Sequence, residues 1–166
     1  KNSYENHYPD LNPDFIFAFP AYNVRNNEIG AIMGRNQLKR LDGNNQLRNR
    51  NFKLFLDNLD DSKYRTNFRL DGSSNYALNL ILQDANTPFT EKLMKVMNED
   101  NVEFRRGSAG GGNQLRQPYL RKIMGDAYQR FPEVDHIHFH GFYIGNFPSL
   151  EEEIILMLCK ILNSVE

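Results

Sequence analysis

The chain has 166 residues, 40% apolar and 25% charged, which suits one ordinary domain or a small domain carrying an arm. A net charge of −1 gives no general electrostatic pull toward nucleic acid, and the longest apolar run, Ile154–Cys159, falls far short of the ~20 residues that cross a bilayer. The single cysteine, Cys159, excludes an internal disulfide and reads as a small buried hydrophobe, in keeping with a reducing, cytoplasmic setting.

Lys1 opens the chain, and Lys1–Tyr8 is polar and aromatic with no basic-then-apolar signal pattern; it reads as a truncation or as the first ordered stretch of a longer product. Residues 1–14 carry two prolines and no periodicity, as in an arm. Phe15–Phe19, ended by Pro20, fits either a strand buried on both faces or an anchored loop. From Asn27 the pattern is helical: Ile29, Ile32, Met33, Leu38 and Leu41 are spaced for one buried stripe, with Asn26 or Asn27 as N-cap and Glu28 in the first turn. Gly30 and Gly34 would let another backbone approach this helix. Asp42-Gly43 breaks the pattern, and a second helix is expected over Asn44–Leu59, with Leu47, Phe52, Phe55, Leu56 and Leu59 on one side.

The remainder reads as a small α+β unit with an antiparallel sheet and helices on one face. Phe68 and Leu70 begin a strand, and Tyr76–Leu82 makes a stronger one. Thr87-Pro88 opens a helix with the stripe Phe89, Leu93, Val96 and Met97. Val102–Arg105 alternates as a short strand, and Gly107–Pro118 reads as a loop. His136–Ile144 is expected to be a strand, and Ser149 to cap a last helix that ends near Leu162. The expected organisation is an arm over 1–26, linking helices over 27–59 and a small domain over 60–166.

Three segments carry a resemblance. They are Ala21-Tyr22-Asn23-Val24-Arg25 before the helix with Gly30 and Gly34 and the pair Gln37-Leu38; Gly110-Gly111-Gly112-Asn113-Gln114-Leu115-Arg116-Gln117-Pro118; and Gly141-Phe142-Tyr143-Ile144-Gly145-Asn146-Phe147-Pro148. Together, in order, they resemble the DegT/DnrJ/EryC1/StrS-type nucleotide-sugar aminotransferases and dehydratases that use pyridoxal phosphate (PLP), and within them the 3-dehydratase branch. The resemblance implies the small C-terminal domain of a fold-type-I aminotransferase fold, led by a remnant of the large domain. It implies PLP or its amine form (PMP) as cofactor of the full-length parent, a nucleotide-diphosphate sugar as substrate, and a homodimer. The family's cofactor-holding lysine, replaced by histidine in the 3-dehydratases, has no counterpart here: Lys39, Lys53, Lys92, Lys95 and Lys160 all lie on expected helices or turns. No catalytic residue is therefore assigned to this chain.

For individual residues, a functional and a structural reading stand side by side. By resemblance Asn23 reaches the partner subunit's cofactor phosphate; as a bare residue it is a turn former. Arg25 suits a phosphate or carboxylate, or is a solvated charge. Arg105 and Arg106 suit a sugar-nucleotide diphosphate, but strand alternation lets only one of them line a site. The glycine run lacks the frame of a P-loop or a dinucleotide fingerprint. It reads as a flexible loop, or, by resemblance, as a loop over substrate with Asn113 and Arg116 as its polar contacts. His136, His138 and His140 would share one face of a strand, yet ~7 Å spacing strains a common metal ion; no metal is assigned, and His138 is taken as a substrate neighbour. A stand-alone binding or interaction domain without catalysis is the alternative function, and nucleic-acid binding through Arg105-Arg106 is disfavoured by the charge.

Overall fold

The structure, a computed structural model, describes residues 6–12, 26–106 and 112–166. The chain divides into two units, Lys1–Lys39 and Arg40–Glu166, and the division falls inside its longest helix. The expected strand or loop at Phe15–Phe19 lies outside the described residues.

Helix α1 spans Glu28–Asn58 without interruption. Asn27 caps its start, its Oδ1 accepting from the Gly30 N–H at 2.7 Å. The break expected at Asp42-Gly43 does not occur. A single glycine costs a helix interior about 1 kcal/mol, too little to end a helix whose second half is held by tertiary contacts. That second half buries Asn51, Phe52, Phe55 and Leu56. The stripe expected to be buried on the first half is instead exposed, with Ile29 at 73% and Leu38 at 68%; nothing among the described residues covers it.

In the second unit, β1 (Ala77–Ile81), β2 (Phe104–Arg105) and β3 (Gly141–Gly145) form an antiparallel sheet in the order β1-β3-β2. Leu80 pairs with Phe142 and Leu78 with Ile144, so one face of the sheet carries all four apolar side chains. Helix α2 (Thr87–Glu99) is capped by Asn86, whose Oδ1 accepts from the Phe89 N–H, and buries Thr90, Leu93 and Met97. Helix α3 (Pro118–Met124), read as loop and unassigned chain in the sequence, has Pro118 in its first turn. Helix α4 (Pro132–His140) stands where the first part of a strand was expected. Helix α5 (Glu152–Asn163) buries Ile155, Leu158, Cys159 and Leu162. These residues, the sheet face and the end of α1 join in one apolar cluster.

Two further local expectations are corrected. Ser149 does not cap α5: it sits in a turn closed by the Leu150 N–H onto the Phe147 carbonyl, and the cap position falls to Glu151 with no side-chain bond. Phe68 and Leu70 form no strand; they pack as partly buried side chains against the cluster, Phe68 edge-on to Phe52 with centroids 5.6 Å apart. Within the cluster Cys159 is buried, its thiol against the Phe55 carbonyl at 3.6 Å, and burial pushes that thiol up to about 11.

Candidate functional site

Pro132 decides the geometry of the site. Proline fits the first turn of a helix, and Glu133 and Asp135 sit where the helix dipole favours negative charge. His136, His138 and His140 therefore do not share a face as they would on a strand. His136 and His140, four apart, lie together with ring centroids 5.3 Å apart. His136 Nε2 is 2.7 Å from the Leu82 carbonyl, and the buried His140 Nδ1 is 2.9 Å from Thr90 Oγ1. Asp135, His138 and Phe139 occupy another face.

On that second face docks the short 3-10 turn Gln114–Arg116. Asn113 caps the turn, its Oδ1 accepting from the Leu115 N–H at 3.1 Å, and its own side chain is buried. Its backbone N–H donates to His138 Nδ1 at 3.2 Å, and its Nδ2 donates to Asp135 Oδ1 at 2.9 Å. Arg116 completes the cluster as a fork: Nε donates to Asp135 Oδ1 and Nη2 to Oδ2, both at 2.6 Å. The guanidinium also lies over the Tyr128 ring at 4.0 Å and the Phe139 ring at 5.0 Å. The hydrogen bonds from Arg116 outweigh desolvation and hold the Asp135 carboxyl below the usual carboxylate range, while Asp135 in turn raises Arg116. Gly112 must be glycine here. Its φ is +77°, and a Cβ would sit 2.3 Å from His138 Nδ1.

The remaining predicted residues are dispersed. Arg106 lies across the sheet end: its Nη2 donates to the Phe139 carbonyl, Nη1 is 3.7 Å from Met94 Sδ, and the guanidinium lies over the Phe142 ring at 5.2 Å. Arg105 is exposed, 3.6 Å from Glu103, and lines a largely apolar cleft of about 790 Å³ with Tyr76, Tyr143 and Phe147. Asn23 and Arg25 lie outside the described residues. Of the seven residues singled out, the structure brings together Asn113, Arg116 and His138. Reading the sequence missed Asp135, Tyr128 and Phe139. Pro132 followed by two acids was the available helix signal, and it would have put Asp135, His138 and Phe139 at i, i+3 and i+4.

A second polar knot sits at the end of β3. Asn146, 2% exposed, accepts from Asn51 Nδ2 at 3.3 Å and donates to the carbonyls of Arg48 at 3.1 Å and Asn75 at 2.9 Å. Every polar atom of this motif residue's side chain serves to tie α1 to the sheet.

With this geometry in place, the chain can be set against known proteins. Residues 2–163 match the model of the DegT/DnrJ/EryC1/StrS aminotransferase family, and the chain belongs to that family. It is 27% identical over 143 residues to a GDP-4-keto-6-deoxy-D-mannose 3-dehydratase of Yersinia pseudotuberculosis, covering 84% of this chain and 36% of the relative. Its counterpart in Escherichia coli is 25% identical over 134 residues, covering 80% and 34%. Among solved structures, E. coli GDP-4-keto-6-deoxy-D-mannose-3-dehydratase with bound hydrated PLP superposes with a TM-score of 0.66 at 22% identity, over 90% of this chain and 38% of that one. A variant of GDP-4-keto-6-deoxymannose-3-dehydratase with bound GDP-perosamine gives 0.67 at 23% identity, over 89% and 38%. These likenesses show the fold, a part of the fold-type-I architecture with its antiparallel α+β sheet. The chain spans about a third of the length of its curated relatives. No helix among the described residues is long and apolar enough to cross a membrane.

Proposed function

We propose that this chain is the C-terminal part of a PLP-dependent enzyme acting on a 4-keto-6-deoxy nucleotide-diphosphate sugar, as a 3-dehydratase or an aminotransferase, and that it contributes the substrate-facing Asn113–Arg116 segment. That segment is the observation carrying the proposal. By the resemblance it would lie over substrate, and in this structure Asn113 and Arg116 are engaged with Asp135 and His138 on a helix face. The names of both curated relatives favour the 3-dehydratase and a GDP-linked sugar.

The cofactor belongs to the full-length parent in this reading. By the resemblance its anchor is a lysine or, in the 3-dehydratases, a histidine, and no position of this chain matches that motif. Among the described lysines, Lys53 pairs with Asp57, Lys63 with the carbonyls of Asn163 and Val165, Lys92 with that of Glu166 and Lys95 with Glu99, while Lys39, Lys122 and Lys160 lie on exposed helix faces. Asn23 remains our candidate for the phosphate, reached from a partner subunit, with Arg25 beside it. A homodimer is part of the proposal, supported by the exposed apolar stripe on the first half of α1.

The test is to supply the complete translated gene product with PLP, glutamate and GDP-4-keto-6-deoxymannose and to weigh the product. Loss of the C3 hydroxyl identifies the dehydratase, and an amino group at C4 the aminotransferase. Binding of the sugar nucleotide without turnover would favour the stand-alone binding domain. Absence of both binding and turnover would sink the proposal.

A further inference from the structure

Arg116 is a guanidinium with one edge spent. Its Nε and Nη2 face Asp135 in a fork, and its Cζ lies over the Tyr128 ring at 4.0 Å and the Phe139 ring at 5.0 Å. Nη1 and the second N–H of Nη2 form the remaining edge, which has no hydrogen-bond partner among the described residues, and the side chain is 28% exposed. His138 offers a second donor. Its Nδ1 accepts the Asn113 N–H, so the neutral ring carries its proton on Nε2, a tautomer assigned from that bond. The two donors flank the same ring: Arg116 lies 5.0 Å from the Phe139 centroid, and the His138 ring stands edge-on to it at 4.6 Å. Phe139 is itself 45% exposed.

Charge decides what such an edge can hold. A diphosphate approaching Arg116 meets Asp135 within 2.6 Å of the same guanidinium, so attraction to the cation is largely cancelled by repulsion from the carboxylate. A neutral oxygen incurs no such repulsion. Sugar hydroxyl and keto oxygens accept from both donors, and the exposed part of Phe139 offers an apolar surface to ring C–H groups. We therefore propose that Arg116 reads the sugar of a nucleotide sugar and not its diphosphate, and that Asp135 is the positioning residue that aims it. This rests on the nucleotide-sugar reading above. It adds which moiety is read and a residue that neither the motif nor the family match singles out.

The measurement is calorimetric titration of the complete gene product with GDP and, separately, with GDP-4-keto-6-deoxymannose. Wild-type protein should bind the sugar nucleotide more tightly than GDP. Asp135→Asn and Arg116→Lys should each lose about tenfold of the affinity for the sugar nucleotide, the scale of one charge-assisted hydrogen bond, and leave GDP affinity within about twofold. Arg116→Lys keeps the charge while losing the fork, so it carries the decision if Asp135→Asn proves unfolded by circular dichroism. An equal loss for both ligands would assign Arg116 to the diphosphate and overturn the proposal, as would no loss for either. Failure of wild-type protein to bind GDP at all would overturn the nucleotide-sugar reading itself, a result separable from the others.

Discussion

Asn146 is fully committed: one acceptor and two donor contacts, all inside the fold. Truncating it would strand the Asn75 carbonyl, take the second donor from the Arg48 carbonyl and remove one partner of the buried Asn51 amide. Asn146→Ala should therefore cost about 3 kcal/mol, read as a lower urea midpoint at unchanged slope. Asn146→Asp should be worse, because a carboxylate would face two carbonyl oxygens. His140 sets a pH dependence. Thr90 Oγ1 is 2.8 Å from the Asn86 carbonyl, to which it donates, so it accepts from a neutral His140 through Nδ1–H. Burial first, then the His136 and Arg106 charges, lowers the His140 pKa. The folded state thus binds fewer protons there than the unfolded chain, and the contribution is present above the unfolded value of about 6.5 and lost as pH falls through the folded one. Asp135 adds a second loss at lower pH: its stabilisation is complete above the unfolded value of about 4 and disappears as pH falls through its lowered folded value. Melting temperatures should accordingly drop in two stages on acidification. His140→Asn should flatten the upper stage, and Asp135→Asn the lower.

At the scale of elements, the glycines separate tolerated positions from required ones. Gly43 lies inside α1 with open space for 4 Å around the point a Cβ would occupy, so Gly43→Ala should raise stability by about 0.5–1 kcal/mol. Gly112→Ala should lower it by about 2 kcal/mol or more, from the positive φ and the collision with His138. Thermal melts of the two variants should shift in opposite directions. The same elements show what could be read in advance. Helix α2 was legible because Asn86, Thr87 and Pro88 mark its start and the apolar spacing continues the message. Strand β1 was legible from its apolar run. Helix α4 was not, because three alternating histidines imitate a strand while the first-turn signal at Pro132 is short. Helix α1 was divided at Gly43 because propensity speaks locally and the packing that carries the helix through is remote. The site shared that fate. Asn113, Arg116 and His138 were visible as polar residues near a motif, but Asp135 becomes visible only once residues 132–140 are wound as a helix.

For the whole molecule, the homodimer proposed above makes the exposed half of α1 the surface to test. If this stripe is a contact between copies, light scattering should find a dimer, and Ile32→Glu with Met33→Glu should return a monomer with an unchanged melting temperature. The 166-residue chain alone should retain no PLP; characteristic cofactor absorbance surviving gel filtration would contradict the assignment of the cofactor to the parent. Cys159 offers a practical consequence. Its thiol is buried against α1 and pushed up to about 11, so at neutral pH it is shielded from electrophiles. A cysteine introduced at an exposed position such as Gln46 would then be the sole reactive thiol on each copy. One dye per chain could be placed without removing the native residue, and energy transfer between copies would give the spacing of their long helices directly.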